Sequence, residues 1–115
     1  MNATIFHNPR CSKSRQTLEI LNSQRVDVEI IEYLKNPPNP NQLRHITSLL
    51  GISPRDLMRK NEQAFRDNGL DDPNLTNDQL LEYMTQFPIL IERPIVLYND
   101  QAAIGRPPQR VLEIL

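Results

Sequence analysis

An α/β fold built on a mixed four-stranded sheet is predicted by three features of the sequence. The first segments read strand, helix, strand, the order of a parallel β-α-β unit with a right-handed crossover. The last third holds two apolar runs around a tight polar turn, the pattern of an antiparallel hairpin. Between them lie only helix signals, which form a helical insertion at about 39–87 in a single domain spanning 1–115.

Each element has a local reason. Ala3-Thr4-Ile5-Phe6 is a short apolar run ended by His-Asn-Pro, a strand entering a turn. From Ser12 to Gln24 there is no proline or glycine, and Ser14, Thr17, Leu18 and Leu21 share one helix face. Val26, Val28 and Ile30 alternate with Asp27, Glu29 and Ile31, as in a strand with one polar face. Asn39 and Pro40 open a helix carrying Leu43, Ile46, Leu49 and Leu50, and Gly51 stops it. Ser53-Pro54 starts a short helix through Met58, and Asn68-Gly69 ends another around Ala64 and Phe65.

Thr76 through Gln79 has the spacing of a capping box, ahead of a buried stripe of Leu80, Leu81, Met84 and Phe87 that Pro88 closes. Ile95–Tyr98 and Ala102–Ile104 make the hairpin around Asn99-Asp100-Gln101. Pro107-Pro108 then opens a terminal helix with Val111, Leu112 and Leu115 facing inward.

Composition narrows the function. The chain has 115 residues, 38% hydrophobic and 23% charged, with no apolar run of the ~20 residues that cross a bilayer, so a soluble protein without a membrane partner is expected. No secretion signal is legible at the N-terminus, and a cytoplasmic location follows as the expectation. Thirteen basic residues against 14 acidic ones argue against nucleic acid bound through bulk positive charge. An anion would have to be held by a local cluster. The single cysteine excludes an internal disulfide, and with only two histidines beside it a metal site is poorly supported.

That cysteine, Cys11, lies in His7-Asn8-Pro9-Arg10-Cys11-Ser12-Lys13-Ser14-Arg15, where the helix begins. Unpaired N–H groups and the positive end of the helix dipole there favour a thiolate. Lys13, Arg15 and His7 add positive or donating groups, and Ser14 can donate a hydrogen bond to the sulfur. An ordinary thiol is only about 3% ionised at neutral pH, so a lowered pKa would convert it into a nucleophile. A phosphatase loop, Cys-x5-Arg, fails because position 17 is Thr17. The flanking polar residues are not those of a buried filler cysteine.

Strand, Cys-x-x-Ser, helix is the one-thiol version of the thioredoxin-like Cys-x-x-Cys element. Arg93-Pro94 stands where such a fold places a cis-proline loop facing the thiol. The bland assignments are His45 on a helix surface and Tyr33, Tyr83 and Tyr98 as packing and solvent contacts.

Through "HNPRCSKSRQTLEIL", "IIEYLKNPP", "LLGISPRDLMRKNE", "FPILIERPIV" and "IGRPPQRVLEIL" the chain resembles the glutaredoxin-linked arsenate reductases of bacteria, over almost its whole length. The resemblance implies a thioredoxin-like fold with a helical insertion and a nucleophile at Cys11. It places three oxyanion-binding arginines at Arg59, Arg93 and Arg106, and groups that help keep the thiol ionised at His7 and Ser14. Guanidinium forks suit a tetrahedral oxyanion better than lysine does. It also implies arsenate as substrate, arsenite as product and no bound cofactor, with glutathione as co-substrate and glutaredoxin as partner.

Because there is no second cysteine, an external thiol must complete the reduction. Well-known members carry a further C-terminal segment beyond the point matched by Leu115, so substrate affinity and turnover are the properties most exposed to this difference. Two alternatives use the same thiol: a general glutathione-dependent thiol-disulfide reductase, which leaves three arginines without a purpose, and a redox-sensing regulator that binds RNA polymerase. Relatives of the second kind carry Cys-x-x-Cys and lack Gly-Arg-Pro, whereas this chain has Ser14 and Arg106.

Overall fold

The computed structural model describes residues 2–115, which divide into two compact units, 2–36 with 93–115 and 37–92. The first holds β1 (Asn2–His7), α1 (Ser12–Ser23), β2 (Asp27–Glu32), β3 (Ile95–Tyr98) and β4 (Gln101–Ile104), followed by a 3-10 helix over Pro108–Ile114. The sheet order is β2-β1-β3-β4, with β1 parallel to β2 and antiparallel to β3, and β3 antiparallel to β4. This is the mixed four-stranded α/β sheet expected. Ala3, Ile5, Leu21, Val96 and Val111 form its core, with Leu18, Val28, Tyr98 and Ala103 among those packed around them.

The hairpin turn is tighter than predicted. Asn99 and Asp100 both adopt left-handed backbone (φ 52° and 62°), and Gln101 already pairs with Tyr98. Asparagine and aspartate are the non-glycine residues that tolerate this conformation best, which is why a two-residue connection forms here.

The second unit contains α2 (Pro40–Leu50), α3 (Gln63–Asp67) and α4 (Asn77–Gln86), with 3-10 turns at Pro54–Leu57 and Pro88–Leu90. Both predicted helix starts carry reciprocal capping boxes, Asn39 with Gln42 and Thr76 with Gln79. Gly51 closes α2 at φ 69°, the left-handed position where glycine carries no Cβ penalty. Leu43, Ile46, Leu80, Leu81 and Met84 are buried as the helical periodicity demands.

Three apolar residues depart from the expected pattern. Ile30 is 51% exposed because β2 is an edge strand and lacks a neighbour on one side. Phe87 falls one residue beyond α4, at its C-cap, and leaves the buried stripe. The terminal segment winds as a 3-10 helix, and at three residues per turn Val111 faces the core while Leu112 is turned outward.

One close approach ties α1 to the chain on both sides of the hairpin. Gly105 is buried, its N–H donates to the Pro94 carbonyl at 2.9 Å, and a Cβ there would lie 2.5 Å from Thr17 Oγ1 and 2.8 Å from Pro94 Cγ. Neither neighbour is the free end of a long side chain. Gly105→Ala is therefore expected to lower stability by about 1–3 kcal/mol through overpacking, read as a lower urea midpoint at unchanged slope.

Candidate active site around Cys11

Cys11 is the N-cap of α1, in extended backbone (φ −95°, ψ 122°) and only partly buried. The loop before it is pinned by its own backbone. The Cys11 N–H donates to the Asn8 carbonyl at 3.0 Å, and the Arg10 N–H donates to Asn8 Oδ1 at 3.0 Å. Asn8 thus holds both residues that precede the helix, an arrangement short polar side chains favour in turns.

Burial pushes the thiol pKa up, but it is outweighed by the Ser14 N–H, by the Arg93 guanidinium acting through hydrogen bond and charge, and by the Lys13 N–H. The result is a pKa below the ordinary thiol value. The electropositive helix start predicted from sequence is present, in the form of main-chain donors. Lys13 acts through its N–H, and the Arg15 guanidinium donates to the Pro9 carbonyl at 2.9 Å.

Ser14 and His7 stand behind the sulfur. Ser14 is fully buried, and its hydroxyl is shared with His7 Nδ1 at 2.6 Å while accepting the Asn8 N–H at 3.1 Å. This differs from the expectation that the hydroxyl would donate to Cys11. The Ser14 N–H does that, and the hydroxyl locks the loop to β1. His7 is 6% exposed; burial lowers its pKa, Glu32 opposes this and Arg15 adds to it, with a net lowering that leaves the imidazole neutral at pH 7. Its place in the site is therefore as a hydrogen-bonding anchor for Ser14.

Arg93 and Arg106 lie in the same unit as the thiol, each before a cis proline, Pro94 and Pro107. For Arg93, burial would lower the guanidinium pKa, but its interactions with Cys11 and Tyr33 prevail and hold the positive charge. Arg106 Nε donates to the Arg93 carbonyl at 2.7 Å, so one arginine is braced on the backbone of the other. Tyr33, 1% exposed and assigned on sequence to packing, is a partner of Arg93 that sequence reasoning missed. The only signal available was its position just after the second strand; no spacing rule links it to residue 93.

Arg59 belongs to the other unit, after the bridge between Met58 and Ile91. Its Nε donates to Glu62 at 3.1 Å and its Nη1 to Glu92 at 3.0 Å, with about three-quarters of each side chain covered. The guanidinium is engaged by two carboxylates. Among the described residues no group of three or more His, Cys, Asp or Glu could hold a metal ion, and no helix is long and apolar enough to cross a membrane.

A thiolate beside a fixed guanidinium can attack an electrophile whose negative oxygens the guanidinium holds, because charge that would repel the sulfur is neutralised at the point of approach. Arg93→Ala should shift the pH profile of iodoacetamide alkylation of Cys11 to higher pH, and Tyr33→Phe should move it in the same direction. Ser14→Ala should cost about 1–3 kcal/mol in urea unfolding, since it strands the buried His7 Nδ1 and Asn8 N–H.

Linkage sets the signs of the pH effects. A thiol pKa lowered by folding gives stability present at pH above the unfolded value and lost as pH falls through the folded one. Stability should thus rise with pH between those two values in the wild type, and Cys11→Ser should remove that rise. Lowered His7 works in acid: the stability it lends is intact above the ordinary imidazole range and lost as pH falls through the folded value.

The ArsC family model matches residues 6–114. An arsenate reductase of Neisseria meningitidis is 46% identical over 112 residues, covering 96% of each chain. One from Escherichia coli is 44% identical over 114 residues, covering 99% of this chain and 81% of that protein. The solved structure of an arsenate reductase from Vibrio cholerae superposes with a TM-score of 0.97 at 44% identity, covering 100% of this chain and 98% of the other. With the same sheet, the same crossover and a family match from the first strand to the last helical turn, the chain belongs to the ArsC family and has its thioredoxin-like fold.

Proposed function

We propose that this protein is an arsenate reductase that works through a covalent adduct on Cys11. The observation that carries the reading is the hydrogen-bonded pair of Cys11 and Arg93, with Arg106 braced on the Arg93 carbonyl. The relatives named arsenate reductases support the substrate. Arsenate is a tetrahedral oxyanion, and a thiolate flanked by guanidinium forks meets it with nucleophile and counter-charge together.

The chemistry balances with two thiols. The Cys11 sulfur forms a bond to arsenic as one arsenate oxygen leaves as water. When the sulfur–arsenic bond breaks, its electron pair stays on arsenic, which passes from the +5 to the +3 state and leaves as arsenite. The two thiols end as one disulfide. Cys11 is the only cysteine in the chain, so the second thiol comes from outside. Glutathione fills that role, glutaredoxin reduces the resulting mixed disulfide, and the reducing cytoplasm is where both operate.

His7 and Ser14 hold the loop that presents the sulfur, and Arg93 and Arg106 hold the anion. Arg59 is the third oxyanion arginine in this reading; to serve, it exchanges part of its pairing with Glu62 and Glu92 for substrate oxygens.

Supplied with arsenate, glutathione, glutaredoxin and an NADPH-driven recycling system, the protein should consume NADPH in an arsenate-dependent way, and Cys11→Ser should abolish this. Arg106→Ala should raise the arsenate KM by about tenfold or more, the worth of a charge-assisted hydrogen bond. Arg59→Ala should act in the same direction with the urea midpoint largely kept. Turnover that proceeds on glutathionylated protein but not on arsenate would instead mark a general thiol-disulfide reductase.

A further inference from the structure

A cavity of about 330 Å³ opens on the sheet unit beside the thiol loop, a size within the range of small-ligand clefts, about 300–1,000 Å³. It is lined by His7, Asn8, Pro9 and Arg10 together with Glu32, Leu34 and Lys35. Asn8, Pro9 and Arg10 directly precede Cys11, whose N–H donates to the Asn8 carbonyl. Glu32, Leu34 and Lys35 lie at the end of β2 and in the turn after it. None of Arg10, Glu32, Leu34 and Lys35 has a part in the anion site described above.

We propose that this cavity seats the external thiol, and that it selects a zwitterionic peptide thiol of the glutathione type over small neutral thiols. The inference rests on the arsenate-reductase reading and gives its second reactant a binding place. Its ground is charge and shape. Glutathione carries two carboxylates and one ammonium group at neutral pH. Arg10 and Lys35 supply two cations and Glu32 one anion, the complementary set. Leu34, 41% exposed, and Pro9 offer apolar wall for the peptide's methylenes.

Lys35 and Glu32 lie 3.7 Å apart with side chains 76% and 42% exposed. A pair this solvated is held weakly and is available to a ligand at little cost. The chain has a structural need for such a seat, because a reductase with one cysteine must bring its second sulfur to the same end of the same loop in every turnover.

The test separates binding from activity. Titration of the wild-type chain with S-methylglutathione, which cannot react with Cys11, should shift the amide resonances of Asn8, Arg10 and Glu32 to Lys35, and Lys35→Ala and Arg10→Ala should weaken those shifts. Each variant should raise the KM for glutathione about three- to fivefold, as for loss of one partly exposed charge contact. Turnover with 2-mercaptoethanol and the alkylation rate of Cys11 in Lys35→Ala should stay unchanged.

No shifts at these amides, or an equal loss with the neutral thiol, overturns the proposal. Shifts at the same amides produced by sulfate alone overturn it too, since the cavity would then be a plain anion seat. Binding of S-methylglutathione at these residues in a protein that fails to reduce arsenate would sink the arsenate-reductase reading and leave the peptide-thiol seat standing.

Discussion

Everything at the candidate site depends on one sulfur being cheaper to ionise than burial alone would allow. Two main-chain N–H groups at the start of α1 and one guanidinium overcome the cost of partial desolvation. These donors are fixed by backbone geometry and by a partly buried arginine, so they are in place before any substrate arrives. Pre-organisation of this kind costs no rearrangement at the moment of reaction. The rest of the sheet unit can be understood as the means of keeping a helix start, a loop and an arginine in register.

Three local constraints do that. Asn8 ties the loop to Cys11 and Arg10, the Ser14 hydroxyl ties the first turn of α1 to His7 at the end of β1, and the buried contact of Gly105 with Thr17 and Pro94 sets the distance between α1 and the arginine-bearing loops. Arg93 and Arg106 are held by contacts that cross the sheet unit. The second borrows the backbone of the first, and the first is flanked by Tyr33. A thiol held this way is tied to the protein through its backbone, while the residue stays partly open to solvent.

Much of this was legible in the residues because it is encoded locally. The strand-loop-helix around Cys11, the N-cap at Asn39, the capping box at Thr76, and the Arg93-Pro94 loop each depend on neighbours within a few positions, where spacing and propensity carry information. What escaped was set by contacts between distant segments or by small differences in helix type. The partner of the Ser14 hydroxyl lies seven residues back on another element. Tyr33 meets an arginine sixty positions later in the chain. An α-helical period points Leu112 inward, and the tighter 3-10 winding turns it out. The engagement of Arg59 by Glu62 and Glu92 joins a near neighbour with a far one, and only the near one could be suspected from spacing.

A lone, partly open thiol of lowered pKa also determines how the molecule ages under oxidants. With no neighbouring sulfur to close an intramolecular bridge, an oxidised Cys11 has no protected resting form of its own. Capture by a surrounding thiol is reversible, whereas continued oxidation to the sulfinic state is not. The lifetime of the free sulfur is therefore written into the thiol supply of its surroundings as much as into the fold.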